Sequence, residues 1–458
     1  MPATEQHEAP LDRGFLGHPK GLGFLAFSEG WTAFSYYGML ALLVLYMANE
    51  LLLGHSDEVW GFVPFHRALE LLYGPLTPQA TASAITGLFG ALIYATPVLG
   101  GIIADRWLGR TPTILLGAAL MTLGHFLMTF YATFLPALAA ILIGIGFFNA
   151  NLRAQIGELY AAGDLRRANA FQIYTLAVNI SVIVAPLIVG TLGEKKGFAW
   201  GFAAAGIGMA LGLVTYLSGL RHLPASRETE AAAPRTRLTG HEKKTVVILF
   251  LLVPVFSLCF VGNQQIFNAY LLWGQAHYDL VFRGESMPVS WLLSLDAFIS
   301  TAAIFGSLVF WRWWAGRRRV PDEPVKIGFG TLIAACAPLS LALGSLLNPG
   351  GKLGLIWGIG FHVVNNIGFA NIYPIGMALY SRAAPPQIAG TMVSVYTLGI
   401  FGAGLLDGKL GGLLETMDSV HFWLMHAILV AIGGALMLLA ARLFGSTLAP
   451  QSEAERSA

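Results

Sequence analysis

Two acidic residues lie inside long apolar segments of this sequence, Glu29 and Asp296. Glu29 is the only formal charge between Lys20 and Glu50, and apolar residues flank Asp296 on both sides. An ionisable group inside a lipid bilayer is costly and usually functional, so each acid is a candidate proton carrier, and Asp296 could also anchor a cationic group. The alternative for each is a carboxylate near a helix end that water solvates, and this alternative stays open.

Tyrosines and amides in the apolar segments could bind a substrate. Tyr36 follows Glu29 by seven residues, which places both on one helix face, and Tyr37 is its neighbour. Amides inside membrane spans either bridge helices or face a wet cavity, and bridging is favoured for any single one. The seventh apolar segment carries three amides within about one helical turn, which we predict to line a cavity together: Gln264, Gln265 and Asn268.

Composition indicates a membrane protein. Of the 458 residues, 55% are hydrophobic and only 11% are charged, whereas soluble domains carry about 25% charged residues. No zinc, nucleotide or catalytic-triad motif is present, so we expect neither an enzyme nor a nucleic-acid-binding protein, and no metal or cofactor. The histidines of the apolar segments are scattered and indicate no proton shuttle: His125, His362, His421 and His426.

Segment lengths predict the fold class. A helix needs about 20 apolar residues to cross a bilayer, which predicts an all-α polytopic protein with about twelve transmembrane helices. The predicted spans are 22–49, 79–104, 111–131, 135–160, 170–192, 198–219, 244–272, 289–314, 326–347, 353–381, 387–414 and 420–445. The polar stretch 221–243 predicts a cytoplasmic linker between two six-helix bundles, 22–220 and 244–445. We expect 1–21 and 446–458 to be cytoplasmic end segments.

Lysine and arginine indicate the orientation in the membrane. Most of the 27 fall on the side of the N-terminus, and the opposite side holds only Arg67, Lys195, Lys196, Arg283, Lys352 and Lys409. We therefore expect a multi-pass inner-membrane protein with both termini in the cytoplasm. Six plus six spans with this orientation is the layout of a major-facilitator transporter, in which the substrate site lies at mid-membrane between the halves.

Four stretches spread over both halves carry further motifs. They read GGIIADRWLGRTPTI at 100–114, FQIYTLAVNISVIVAP at 171–186, PVSWLLSLD at 288–296 and QIAGTM at 387–392. Together they resemble the proton-dependent oligopeptide transporter family of the major facilitator superfamily. The stretch EGWTAFSYYG at 29–38 is similar to the first-span pattern of that family at Glu29, Phe34, Tyr36, Tyr37 and Gly38.

The departures from the family pattern are consistent with one another. Thr32 and Ala33 stand where the family has a second Glu and an Arg. Asn149 replaces a fourth-span Lys, and Phe369 replaces a tenth-span Glu. Removing one partner of a buried charge pair costs about 3–5 kcal/mol, so a charged network is expected to disappear as a unit. The resemblance therefore implies an atypical member with an altered substrate site.

The resemblance also implies roles for individual residues. Glu29 would couple protons, to which we add Asp296 because the family has a neutral Asn there. The candidate substrate-binding residues are Tyr36, Tyr37, Tyr94, Asn149, Asn179, Gln264, Gln265, Asn268, Asp296 and Tyr396, and the candidate gating residues are Asp105, Arg106, Arg110 and Arg153. Arg153 could instead be a displaced partner of Glu29, but an arginine that reaches lipid headgroups or closes the inner gate is the favoured interpretation.

These observations predict a proton-coupled symporter of peptides or peptide-like small molecules that works by alternating access. The expected partners are the substrate, protons and membrane lipid, and we expect a monomer. One alternative is a proton-coupled exporter of cationic or aromatic compounds. A cavity with two acids and few opposing bases would suit such an exporter. Another is a non-transporting sensor with the same fold, which would produce no flux.

Overall fold

The computed structural model describes residues 13–161, 164–224 and 238–448. Of the predicted polar segments, residues 1–12 of the first, 225–237 of the linker and 449–458 of the last lie outside the described residues. The described parts are almost entirely helical, as the apolar segments predict. The core of each half is apolar, with fully buried rings such as Phe148 in the first half and Phe256 in the second.

The first half forms one helical bundle. Its helices are α1 (Lys20–Tyr46), α2 (Leu52–Gly54), α3 (Phe62–Tyr73), α4 (Pro78–Ile103), α5 (Arg110–Leu127), α6 (Phe134–Glu158), α7 (Arg166–Ala185), α8 (Thr191–Lys196) and α9 (Phe198–Gly219). Short π-helical turns extend three of them, at Met47–Leu51, Ala104–Leu108 and Pro186–Gly190. Within the bundle α1 packs on α7 and α9, and α6 packs on α4 and α5.

The second half repeats this arrangement. Its helices are α10 (Gly240–Gln264), α11 (Ala269–His277), α12 (Trp291–Ala315), α13 (Glu323–Leu347), α14 (Leu355–Ala383), α15 (Ala389–Gly411) and α16 (Ser419–Leu448). Between α11 and α12, β1 (Val281–Phe282) pairs antiparallel with β2 (Glu285–Ser286). Arg283 and Gly284 form the two-residue turn with positive φ angles of 52° and 84°, the geometry that tight hairpins require.

The number of membrane-crossing helices agrees with the prediction. Among the described residues, eleven helical stretches are long and apolar enough to cross a membrane. The 18-residue α5 is not one of the eleven, but it packs between α6 and α9 and takes the remaining position. The sequence did not predict α3, a helix outside the spans that packs against α4.

The seventh span is broken, whereas the sequence predicted one continuous helix over 244–272. The helix α10 begins at a capping box, in which Thr239 and Glu242 each bond the backbone N–H of the other, and it ends at Gln264. A 3-10 turn covers Gln265–Phe267, and Asn268 leaves the helical region with φ −126° and ψ −115°. Broken membrane helices are tolerated where the freed backbone groups are satisfied, and they often line binding sites.

The molecule has two ends, which we name by what they carry. The terminal face carries the start of α1, the ends of α9 and α16, and the start of α10. The distal face is the opposite end, where α3 and the β1–β2 hairpin lie. The two bundles meet mainly where α4 packs on α15 and where α7 packs on α12.

Candidate functional site

A cavity of about 390 Å³ lies between the two bundles. Helices of both halves contribute to its wall, including α1, α4 and α7 from the first and α10, α12, α14 and α15 from the second. Seven aromatic rings line it: Tyr36, Tyr37, Tyr94, Phe260, Phe267, Phe369 and Tyr373. Amides add hydrogen-bonding groups: Asn179, Asn263, Gln264, Asn268 and Asn366. Such a wall of aromatic rings and a few polar groups is typical of a small-molecule site.

Hydrogen bonds close the cavity at the distal face. Glu194 is on α8, at the distal end of the first bundle. It accepts hydrogen bonds from the backbone N–H groups of Val289 and Ser290, both at 2.9 Å. The carboxylate thereby caps the start of α12 in the other bundle, where the helix dipole favours negative charge. Trp291 adds a bond of 2.8 Å from its indole N–H to the hydroxyl of Thr191.

A second closing contact consists of glycines, which we call the glycine seam: Gly87 of α4 with Gly404 and Gly408 of α15. A methyl group added to Gly87 would lie 2.5 Å from the carbonyl oxygen of Gly404 and from the backbone of Gly408. Small residues allow such close approach of membrane helices. The seam therefore holds the two bundles together where α4 crosses α15.

Asp296 lines the cavity and is the start of a hydrogen-bonded chain. Its Oδ1 accepts one hydrogen bond from Nδ1 of His362 at 2.8 Å and another from the amide of Asn366 at 2.6 Å. On the other side of the ring, Nε2 of His362 lies 2.9 Å from the hydroxyl of Tyr270. The His362 ring thereby links the carboxylate of Asp296 to the hydroxyl of Tyr270.

Glu29 is on α1, and its side chain faces α7 next to the cavity wall. It is only 5% exposed. Its Oε1 accepts a hydrogen bond of 2.7 Å from the hydroxyl of Tyr174. The same hydroxyl accepts a bond of 3.1 Å from Nε of Arg153. Arg153 is thus linked to Glu29 through one shared hydroxyl, and the other oxygen of Glu29, Oε2, has no hydrogen-bond partner among the described residues.

The remaining predicted gating residues lie together near the terminal face. Arg110 at the start of α5 forms an ion pair with Glu158 at the end of α6. Its other guanidinium nitrogen lies 3.9 Å from Asp105, and Arg106 is exposed beside it. These contacts join helices within the first bundle, so their role at a gate stays a prediction.

Seven of the predicted substrate-binding residues line the cavity: Tyr36, Tyr37, Tyr94, Asn179, Gln264, Asn268 and Asp296. The prediction that Gln265 lines it with its neighbours is wrong. Gln265 is fully buried, its amide lies 2.9 Å from Nε2 of His426, and its side-chain oxygen accepts from the N–H of Ala269. Its side-chain oxygen therefore satisfies a backbone N–H group that is freed where the seventh span breaks.

Two other predicted cavity residues do not line the cavity either. Tyr396 is fully buried and donates its hydroxyl hydrogen to the backbone oxygen of Tyr373 at 2.8 Å, so it packs α15 against α14. Asn149 is half-buried on α6, and its side-chain oxygen lacks a partner among the described residues. The position of each depends on how its helix is rotated in the bundle, which spacing alone does not determine.

Sequence reasoning assigned no role to three residues of these networks: Tyr174, His362 and Asp407. His362 was taken as one of several scattered histidines, whereas in the structure its ring bonds Asp296 directly. The expectation that these histidines form no proton shuttle stays a prediction. A signal existed, since His362 and Asn366 are four residues apart and share a helix face. Asp407 is an acid within the eleventh apolar segment, as Glu29 is within the first, and it lines the distal end of the cavity.

The model of the Major Facilitator Superfamily matches residues 24–406 of this chain. The chain is 27% identical to a di-/tripeptide transporter of Lactococcus lactis over 93% of this chain and 96% of that protein. It is 26% identical to the uncharacterized transporter YclF of Bacillus subtilis, over 93% and 94% of the two chains.

Solved structures show the same fold. A crystal structure of a peptide transporter POT in complex with sulfate superimposes with a TM-score of 0.84 at 23% identity, covering 95% of this chain and 97% of that one. The matches extend over nearly the full described chain and include both bundles. The chain therefore belongs to the major facilitator superfamily, and its resemblance to the proton-dependent oligopeptide transporters of that superfamily is confirmed.

Proposed function

We propose that this protein is a proton-coupled transporter of peptide-like molecules that carry a cationic amino group. The observation that supports it is the charge of the cavity wall. Asp296 lines the cavity, and the described part of the chain contributes no lysine, arginine or histidine to that wall. A cavity with an acidic group and without bases favours a cation over an anion, because opposite charges attract strongly where water is scarce.

Asp296 is the proposed anchor for the amino group. Both of its hydrogen bonds fall on Oδ1, which leaves Oδ2 able to accept from a substrate ammonium. His362 and Asn366 hold the carboxylate in place from α14, so the anchor is pre-organised before the substrate arrives. Aromatic rings that line the same cavity, such as Tyr373 stacked on Phe369 with ring centroids 5.4 Å apart, would bind apolar side chains.

Glu29 is the proposed proton carrier. A carboxylate this deeply buried needs either a proton or an opposite charge, and Arg153 reaches it through the hydroxyl of Tyr174. We propose that the proton and the Arg153 charge alternate in neutralising Glu29 as the transporter changes conformation. Proton binding would then be linked to the movement of α1 against α7.

The direct test is uptake of labelled dialanine and trialanine into proteoliposomes, with and without an inward proton gradient. We expect uptake that the gradient stimulates, and competition by unlabelled dialanine but not by N-acetyl-dialanine, which lacks the ammonium group. Equal competition by both would refute the cationic anchor. No peptide uptake by protein that is shown to be folded would refute peptide transport, and the next probe would be a non-peptide amine.

Asp296→Asn tests the anchor separately. The amide keeps the size of the side chain and can still accept from His362, but it removes the charge that would attract an ammonium. We expect the KM for dialanine to rise by at least about tenfold, in line with the 1.5–3 kcal/mol of a hydrogen bond to a charged group, with a smaller change in the maximal rate. Unchanged KM together with unchanged proton dependence would remove Asp296 from the mechanism.

An exporter of cationic or aromatic compounds would use the same acidic and aromatic cavity. The direction of flux separates the two functions. Under an inward proton gradient a symporter accumulates dialanine inside the vesicle, whereas an exporter that exchanges it for protons expels it from vesicles that were preloaded.

A further inference from the structure

Asp407 is a buried acid that the proposed transport mechanism has not used. It is 1% exposed, and it lies on α15 beside the glycine seam. Neither of its carboxylate oxygens has a hydrogen-bond partner among the described residues. An ionised carboxylate in such surroundings would be strongly unfavourable, so the neutral acid is the form that fits this closed arrangement.

The polar atoms around Asp407 are also unsatisfied. Asn268 at the break of the seventh span donates from its amide to the backbone oxygens of Ser83 and Asp407, both at 3.2 Å, while its side-chain oxygen has no partner. The hydroxyls of Ser83 and Tyr73 likewise lack partners in the described chain. A protonated carboxyl supplies one donor and one acceptor, which complements an amide oxygen and two hydroxyls.

The elements around Asp407 provide no cation to pair with it. On α3 the neighbouring group is the phenol of Tyr73, and α4 has no carboxylate, imidazole or amine between Pro78 and Ile103. Lys409 on α15 is directed to the backbone oxygen of Tyr73, and Glu415 beyond α15 bonds the hydroxyl of Thr77. None of these groups forms an ion pair with Asp407 in the part of the chain that the structure describes.

We propose that Asp407 is a proton-binding site that controls closure of the distal face. When α4 and α15 pack together at the glycine seam, the carboxyl is sealed from water and binds a proton. When they separate, water reaches the carboxylate and the proton can leave. Closure therefore takes up one proton, and the inference holds whatever substrate the transporter carries.

The test measures the distance across the distal face directly and requires no substrate. Spin labels are placed at Gln79→Cys near the start of α4 and at Thr416→Cys just beyond α15, after Cys259 and Cys336 have been replaced by alanine. Distances are measured by pulsed electron paramagnetic resonance in nanodiscs of neutral lipid between pH 5 and pH 8. We expect the closed fraction to fall as the pH rises, with a limiting slope of about tenfold in the closed-to-open ratio per pH unit for one linked proton.

Asp407→Asn in the labelled protein is expected to show the short, closed distance at every pH, because the amide mimics the neutral acid. That same short distance also demonstrates that the variant is folded. Asp418→Asn is the matched control. Asp418 lies on the distal face outside the spans, and hydrogen bonds from His421 hold the pKa of its carboxyl below the usual range, so its replacement should leave the pH profile unchanged.

Three results would overturn the proposal. A wild-type distance that does not change with pH would exclude a linked proton. A pH profile that survives in Asp407→Asn would assign the proton to another group. A distance that responds to replacing sodium by choline at constant pH, and not to pH itself, would mean that the oxygen cluster binds sodium instead.

Discussion

Glu29→Gln is expected to abolish gradient-driven accumulation of dialanine while leaving exchange of internal for external dialanine at a substantial rate. The glutamine keeps the size of the side chain and can still accept the hydrogen bond from Tyr174, which now measures 2.7 Å to Glu29. It cannot take up and release a proton. Each proton that moves inward gains about 2.3 kcal/mol per 100 mV, which supports accumulation of more than tenfold, so the variant should lose at least that factor.

The chain contains a matched control at the other end of the same span. Glu50 accepts a hydrogen bond of 2.7 Å from the hydroxyl of Tyr131, which is the same contact that Glu29 makes with Tyr174. Glu50→Gln therefore removes an acid of equal size with a tyrosine partner, but outside the proposed coupling path, and we expect it to accumulate dialanine like the wild type. Accumulation that is lost equally in both variants, or in neither, would contradict a specific role of Glu29.

Gly87→Ala is expected to reduce the transport rate by at least about fivefold by preventing closure of the distal face. The new methyl group would lie 2.5 Å from three backbone atoms of α15, belonging to Gly404 and Gly408. Backbone atoms cannot rotate away, so α4 and α15 must separate. Overpacking of this kind costs about 1–3 kcal/mol, and an equilibrium between two states shifts by roughly 5- to 150-fold for that energy.

Gly90→Ala on the same helix is the control for Gly87→Ala. A methyl group at Gly90 would meet no atom within 4 Å. Both substitutions gain the same helix propensity, about 1 kcal/mol, so a difference between them isolates the contact at the glycine seam. The exchange rate of dialanine and the spin-label distance between positions 79 and 416 measure the two effects. Similar behaviour of the two variants would mean that the seam does not limit closure.

Much of the fold follows from local properties of the sequence. A span is recognised because about 20 consecutive apolar residues are needed to cross the bilayer, and the observed helices agree with this length. The resemblance to peptide transporters also rests on short local motifs such as 100–114 and 171–186. Local chemistry likewise identified Glu29 and Asp296, because an acid inside an apolar segment is conspicuous whatever its surroundings.

The partners of these acids depend on which helices pack together. Glu29 meets Tyr174 at a separation of 145 residues, and Asp296 meets His362 at a separation of 66. No periodicity along one helix predicts a contact between two helices. The rotation of each helix also decided that Gln264 lines the cavity, whereas its neighbour Gln265 bonds His426 inside the second bundle.

The sequence alone therefore determined the membrane class, the approximate spans, the family resemblance and two of the acids, because each is a property of a short stretch of chain. The tertiary structure decided the break at Asn268, the network around Asp296, and the isolation of Asp407. Asp407 shows the reason most clearly. Its isolation arises because the glycines of α4 and α15 allow two helices from different bundles to approach closely and bury the carboxyl.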